Sequence, residues 1–143
     1  MPYREDIASM AHLMRRAGFG QPRGDLDAQI AKGYEAVVEE LLHPEEQPAI
    51  SDELMYRIFP GYEGALGPPI NQADWMFRMV NTKRPLEEKM TLFWHHIFAT
   101  SHSKLNRNPQ MNKQLEMFRR NGMGNFRTIL KDLAEDPAMI YWL

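Results

Sequence analysis

The stretch Phe126-Arg127-Thr128-Ile129-Leu130-Lys131-Asp132-Leu133-Ala134 sets apolar side chains at positions 126, 129, 130, 133 and 134. A backbone turning about 100° per residue gathers those five on one side, so the segment reads as an amphipathic α-helix. The same spacing recurs on both flanks, and no run of strict apolar/polar alternation bounded by hairpin turn residues occurs anywhere. The fold class that follows is all-α, an irregular multi-helix bundle.

Downstream, Asp136 and Pro137 open a further helix by the cap and first-turn rule, and it runs into Ile140, Tyr141, Trp142 and Leu143. Chain ends are ordinarily polar and frayed, so this apolar tail predicts a fragment whose last helix packs against residues beyond Leu143.

Upstream, Asn108 and Pro109 start a helix that buries Met111, Leu115 and Phe118 and ends at Gly122, with Lys113, Glu116 and Arg120 as an ion-pair ladder outside. Pro85, Glu87 and Glu88 start one that continues to about Ser101. Its predicted core stripe is Leu86, Met90, Phe93, Trp94, Ile97 and Phe98, with His95 and His96 on opposite flanks. Asn71 and Asp74 predict a capped helix start ahead of a buried stripe of Trp75, Met76, Met79 and Val80. Prolines and glycines between Pro60 and Pro69 predict a loop over 60–70. Helices are predicted over about 34–42 (stopped by Pro44), 26–32 (closed by Gly33) and 5–17. The last of these carries Ile7, Met10, Leu13, Met14 and Ala17 on one face and Gly18 as a left-handed cap.

The chain has 143 residues, 43% hydrophobic and 25% charged, the usage of one ordinary globular domain able to build a core without staples. With no cysteine, disulfides, thiol nucleophiles and cysteine-held zinc are excluded. The net charge of −2 implies no strong field toward nucleic acid or an anionic membrane. Charge is nevertheless uneven: seven acids and no Lys or Arg lie between Glu35 and Glu53, while seven bases face one acid between Lys104 and Lys131. A surface with two opposite faces needs no polyanion, so nucleic acid is a weak reading. No secretory leader is visible near Met1, and the most apolar stretch, 91–100, falls far short of a membrane span.

Metal capture on a helix needs two ligands three or four residues apart. Among His12, His43, His95, His96 and His102 no pair has that spacing; Glu40 with His43 is a single half-motif, more simply a helix end. The predicted set is therefore metal-free, and no cofactor can be named. Gly18, Gly20 and Gly24 follow a helix and are off the phosphate-loop spacing, and Ser101 and Ser103 form no nucleophile elbow. The 11 methionines fall on helical stripes and read as core filler. The sharpest candidate chemistry is His95 and His96 with Glu88 one to two turns earlier, acid/base material on a rigid element, against the plainer reading of a packed histidine.

Four segments in order carry a resemblance over essentially the whole chain. They are Ala11 to Gly20 (AHLMRRAGFG), Arg84 to Met90 (RPLEEKM) with Phe93 to Thr100 (FWHHIFAT), Phe118 to Arg127 (FRRNGMGNFR), and Asp136 to Met139 (DPAM). Together the chain resembles the large bacterial family called domain of unknown function 1800. The resemblance implies the N-terminal portion of a helical protein several hundred residues long. It also implies frequent export, and a partner encoded alongside from a second uncharacterised family related to sulfatases and phosphatases. Many members resemble Trp-His-x-His-Phe, whereas this chain has His96 and then Ile97 where the second histidine would fall. Two functional expectations result. One is a scaffold or partner-binding component of an exported or envelope-associated assembly, whose partners include the rest of its own chain. The other is an enzyme with His95 or His96 as acid/base and Glu88 as its orienting carboxylate, completed beyond Leu143. Arg15, Arg16, Arg119 and Arg120 are the candidate binding cations.

Overall fold

The computed structural model describes residues 2–58, 68–105 and 108–143. Among them lie ten α-helices, one 3-10 turn and no strand. In chain order these are α1 (Pro2–Arg16), α2 (Arg23–Lys32), α3 (Tyr34–Leu42), the 3-10 turn Pro44–Glu46, α4 (Asp52–Ile58), α5 (Pro68–Asn81), α6 (Pro85–Ile97), α7 (His102–Leu105), α8 (Asn108–Asn121), α9 (Phe126–Ala134) and α10 (Pro137–Trp142). The predicted all-α, irregular multi-helix bundle is what forms. No described helix is long and apolar enough to cross a membrane.

Three apolar clusters hold the helices together. Met10, Met14 and Ala17 of α1 bury against Leu26 of α2 and Val37 and Leu41 of α3. Met117 and Phe118 of α8 bury against Ile129 and Leu133 of α9. Leu105, Met111 and Ala138 join α7, α8 and α10, with Trp142 packed alongside. Helix α6 links the first two, because Leu86 reaches the first cluster while Trp94 and Phe98 reach the second. Phe118 is fully buried, and its removal belongs to the class of core truncations that cost about 3–5 kcal/mol.

Helix ends follow the predicted chemistry in most places. Asp136 caps α10 by accepting from the Ala138 N–H at 3.0 Å, Pro85 sits in the first turn of α6, and Gly33 has φ +94 where α2 hands over to α3. Gly18 does not take the left-handed cap role assigned to it. The positive φ falls two residues later at Gly20, whose N–H reaches the Met14 carbonyl at 3.1 Å. Gly18 is instead buried where a Cβ would stand 2.9 Å from Pro85 Cβ, so its smallness lets α1 approach the start of α6.

Of the predicted 60–70 loop, positions 60–67 lie outside the described residues, and Pro68 to Ile70 already belong to α5. Proline is tolerated in a first turn, so the helix starts three residues earlier than the Asn71 cap implied. The expected apolar stripe of α5 is also corrected. Met76 and Val80 are 60% and 77% exposed, and the buried side carries Asp74 and Arg78, joined at 3.1 Å. Helix α6 departs in the same way. Glu88 and Thr91 are its buried residues, Phe93 and Ile97 are about half exposed, and it ends at Ile97, short of Ser101. On α8 the outer positions 113, 116 and 120 are exposed as predicted, but Arg120 approaches Asp132 of α9 at 3.8 Å.

Gly122 closes α8 where Trp94 Nε1 donates to its carbonyl at 2.7 Å. A Cβ there would run into the Phe118 carbonyl oxygen and lie 3.0 Å from Trp94 Cδ1. Gly122→Ala is therefore expected to destabilise by about 1–3 kcal/mol. Gly24→Ala, in open space within α2, should stabilise by about 0.5 kcal/mol. Thermal melts followed by tryptophan fluorescence check both signs.

Candidate functional site

Pro85 places Glu87 and Glu88 in the first turn of α6, where the helix dipole favours carboxylates. Glu88 is then carried inward between α5 and α8, to 2% exposure. Arg119 Nε donates to its Oε1 at 2.5 Å and Arg119 Nη2 to Oε2 at 3.3 Å. Trp75 Nε1 donates to the same Oε2 at 3.2 Å. A carboxylate so deep costs several kcal/mol to desolvate, and the two-pronged guanidinium with the indole N–H repays it. Glu87, half-buried beside it, has its carboxyl pushed upward by burial, opposed by Arg84 at 3.6 Å.

Two turns further along the same face of α6, seven residues from Glu88, stands His95. The indole of Trp75 separates the two: its nitrogen binds Glu88, while its ring meets the imidazole edge-on with centroids 5.3 Å apart. His95 Nδ1 is buried without a hydrogen-bond partner among the described residues. Burial holds its protonation below the usual 6.5, and the neighbouring His96 adds to the effect. At neutral pH this imidazole is uncharged. His96 itself is exposed.

His95 opens on a cavity of about 260 Å³ lined by Asn71, Gln72, Trp75, Thr100, Ser101, Met111 and Leu115. Below it runs a buried polar chain. Thr100 Oγ1 donates to Gln114 Oε1 at 2.5 Å, and Gln114 Nε2 reaches the Asp136 carboxylate at 3.4 and 3.5 Å. Burial pushes the Asp136 carboxyl upward, against the Ala138 N–H that it accepts.

The other predicted site residues lie apart from this group. Arg15 and Arg16 are exposed on the last turn of α1. The chain just beyond them meets α6 at its start, Gly18 against Pro85 and Phe19 beneath Lys89 at 5.0 Å, whereas His95 lies roughly 15 Å further along the helix. Arg119 is engaged by Glu88, and Arg120 is exposed on the outer side of α8. The Glu40 and His43 half-motif is not assembled: Glu40 holds Lys32 through both oxygens at 2.8 Å, and His43 Nδ1 meets Glu45 at 3.0 Å. Ser101 and Ser103 hydroxyls bond each other at 2.9 Å. No group of three or more potential metal ligands converges among the described residues. Three members of the site went unread in the sequence: Trp75 as a donor to Glu88, Asn71 as a cavity wall, and Gln114. The signal was present in Gln114, a polar residue set between Met111 and Phe118 on a buried face.

Two outcomes follow from this geometry. Arg119→Met strands the buried carboxylate and should cost about 3 kcal/mol, whereas adding Glu88→Met to it should recover most of that loss; chemical denaturation of the two variants checks the ordering. In a pH titration read by NMR, His95 should titrate below 6.5, move toward 6.5 in His96→Gln, and lie below His43, which its Glu45 partner holds above 6.5. The sign for stability follows: the folded chain binds the His95 proton less readily than the unfolded one. That contribution is therefore lost as pH falls through 6.5 to the folded midpoint, and no further below it.

No curated protein and no solved structure matches the chain. The family model described as protein of unknown function, DUF1800, matches residues 12–143, and the chain belongs to that family.

Proposed function

We propose that this chain is a scaffold or partner-binding component of an exported or envelope-associated bacterial assembly, docking a separate protein on an apolar face of α6 and α9. The observation that carries this reading is a continuous exposed patch. Phe93 and Ile97 lie one turn apart on α6, Phe126 and Leu130 one turn apart on α9, and each is 43% to 53% exposed. Aromatic contacts join the pairs, since Trp94 meets Phe93 edge-on at 5.0 Å and stacks on Phe126 at 5.6 Å. An apolar patch of this kind, rimmed by polar groups, is the signature of a protein contact.

Next to these apolar positions stand His96, Arg127 and Lys131, all exposed, the last two within the basic span of 104–131. The matching partner surface has an apolar centre and acidic edges. Leu86, on the same side of α6, is already covered by the α1–α3 cluster, so a partner would extend that cover toward Ile97. A second reading, an enzyme with His95 or His96 as acid/base completed beyond Leu143, is favoured by the buried His95 Nδ1, which has no hydrogen-bond partner among the described residues. Its weaker point is Glu88, whose oxygens are taken by Arg119 and Trp75.

Phe93→Glu with Leu130→Glu changes exposed positions and should leave the melting temperature within a few degrees. The tagged full-length protein, recovered from its own bacterium, should hold a specific partner that this double variant loses. Recovery of the same proteins by both forms, or of none by either, overturns the reading.

A further inference from the structure

Helices α3 and α9 are both nine residues long and are built to one pattern with opposite charge. Helix α9 reads Phe126-Arg127-Thr128-Ile129-Leu130-Lys131-Asp132-Leu133-Ala134, and α3 reads Tyr34-Glu35-Ala36-Val37-Val38-Glu39-Glu40-Leu41-Leu42. Position for position, Ile129 and Leu133 match Val37 and Leu41, which each helix buries in its own core cluster. Phe126 and Leu130 match Tyr34 and Val38; Val38 is partly buried, while the other three and Leu42 are 41% to 52% solvent-open on the outer side. Asp132 matches Glu40, and both are engaged within the chain, by Asn121 and Lys32. The difference lies in one pair of positions: Arg127 and Lys131 on α9 stand where α3 has Glu35 and Glu39, and all four are exposed.

In each helix the charged pair is spaced i, i+4, about 6 Å along the axis, and sits about 100° to the same side of the apolar strip. Two helices laid together by such strips bring same-side flanks into register only when they run antiparallel. That orientation sets Arg127 opposite Glu39 and Lys131 opposite Glu35. It also drops Phe126 between Val38 and Leu42, and Leu130 between Tyr34 and Val38, as knobs into gaps. Within one chain the two faces do not cover each other, since both are exposed.

We propose that α3 of one copy docks antiparallel on α9 of a second copy, with Glu35 and Glu39 meeting Lys131 and Arg127. This docking rests on the reading of the α6 and α9 face as a partner surface, and it names the occupant of the α9 half as this chain itself. The acidic edges and apolar centre that the face calls for are those of α3. Because two different surfaces meet, the contact is heterologous: two copies close into a dimer where both pairings form together, and the assembly extends where they do not.

Sedimentation equilibrium over a concentration series should show self-association at low salt with a Kd of about 100 µM, the weak range for so small a contact. In 0.5 M salt, which screens exposed charges, it should weaken by about tenfold. Arg127→Glu with Lys131→Glu, and Glu35→Lys with Glu39→Lys, should each give a monomer whose melting temperature stays within a few degrees of the wild type. Mixing the two double variants, or joining all four changes in one chain, restores opposite charges across the contact and should restore association. Should a reversal fail to fold, Gln at the same two positions replaces it and should weaken association by about tenfold. A wild-type chain that stays monomeric, folded double variants that associate as the wild type does, or a folded quadruple variant that stays monomeric overturns the proposal. A monomeric chain that still holds a different protein, lost in Phe93→Glu with Leu130→Glu, overturns it while leaving the partner-surface reading in place.

Discussion

Glu88 is the point on which the arrangement of the helices depends. A carboxylate at 2% exposure is tolerable only where its charge is met, and the groups that meet it come from two other helices, Arg119 from α8 and Trp75 from α5. Apolar packing alone would let α6 turn or slide against its neighbours at modest cost, because dispersion contacts are non-directional. A two-pronged guanidinium and an indole N–H are directional, and they fix the rotation of α6 as well as its distance from α8. Trp94 adds a second directional tie two turns on through the Gly122 carbonyl. The core clusters supply the burial, and these polar bonds select which packing is formed.

That division of labour explains what was legible in the sequence. The existence of most helices was, because it rests on local chemistry: Pro85, Asp136 with Pro137, Gly33 and Gly122 act within a turn of where they stand, whereas the short α4 and α7 carry no such signal and went unread. Facing was legible only where the buried side is apolar, as for Met10 and Met14 on α1 and for Met111, Leu115 and Phe118 on α8. On α5 and α6 the rule that apolar residues point inward was right for Leu86, Trp94 and Phe98 but misplaced Met76, Val80, Phe93 and Ile97, which are exposed. Asp74 and Arg78 neutralise one another at i, i+4, and Glu88 is neutralised by a residue 31 positions away. The first pairing is local and could have been read as an inward pair. The second is long-range, and no periodicity in α6 contains it.

The candidate site was legible to the same extent. Sequence offered His95 and His96 as equals, adjacent and both beside an apolar stripe, and only the rotation imposed by Glu88 separates them. His95 is seven residues from Glu88 and so returns to the same face, while His96 is turned about 100° away into solvent. The buried, uncharged imidazole is a consequence of the Glu88 anchor. Arg119, which charge counting placed among possible anion binders, spends its charge inside the fold, and the positive potential of 104–131 that remains outward is smaller than the composition suggests.

The exposed apolar patch follows from the same geometry. At about 100° per residue, taking Glu88 as zero, Thr91 and His95 fall near −60° and −20°, and Phe93 and Ile97 fall near 140° and 180°. Once Glu88 is committed inward, Phe93 and Ile97 are forced to the far side of the helix. Leu86 shares that far side, near 160°, and is covered because α1 ends against the start of α6 at Gly18 and Pro85. Helix α1 goes no further, so the cover stops within the first turns and Phe93 and Ile97 beyond it stay open. A fold needing only its own stability could have placed polar residues at 93 and 97 with little loss, since neither enters a core cluster. The packing of the helix that carries them therefore does not account for their apolar character, whereas the proposed docking of a partner on this face would.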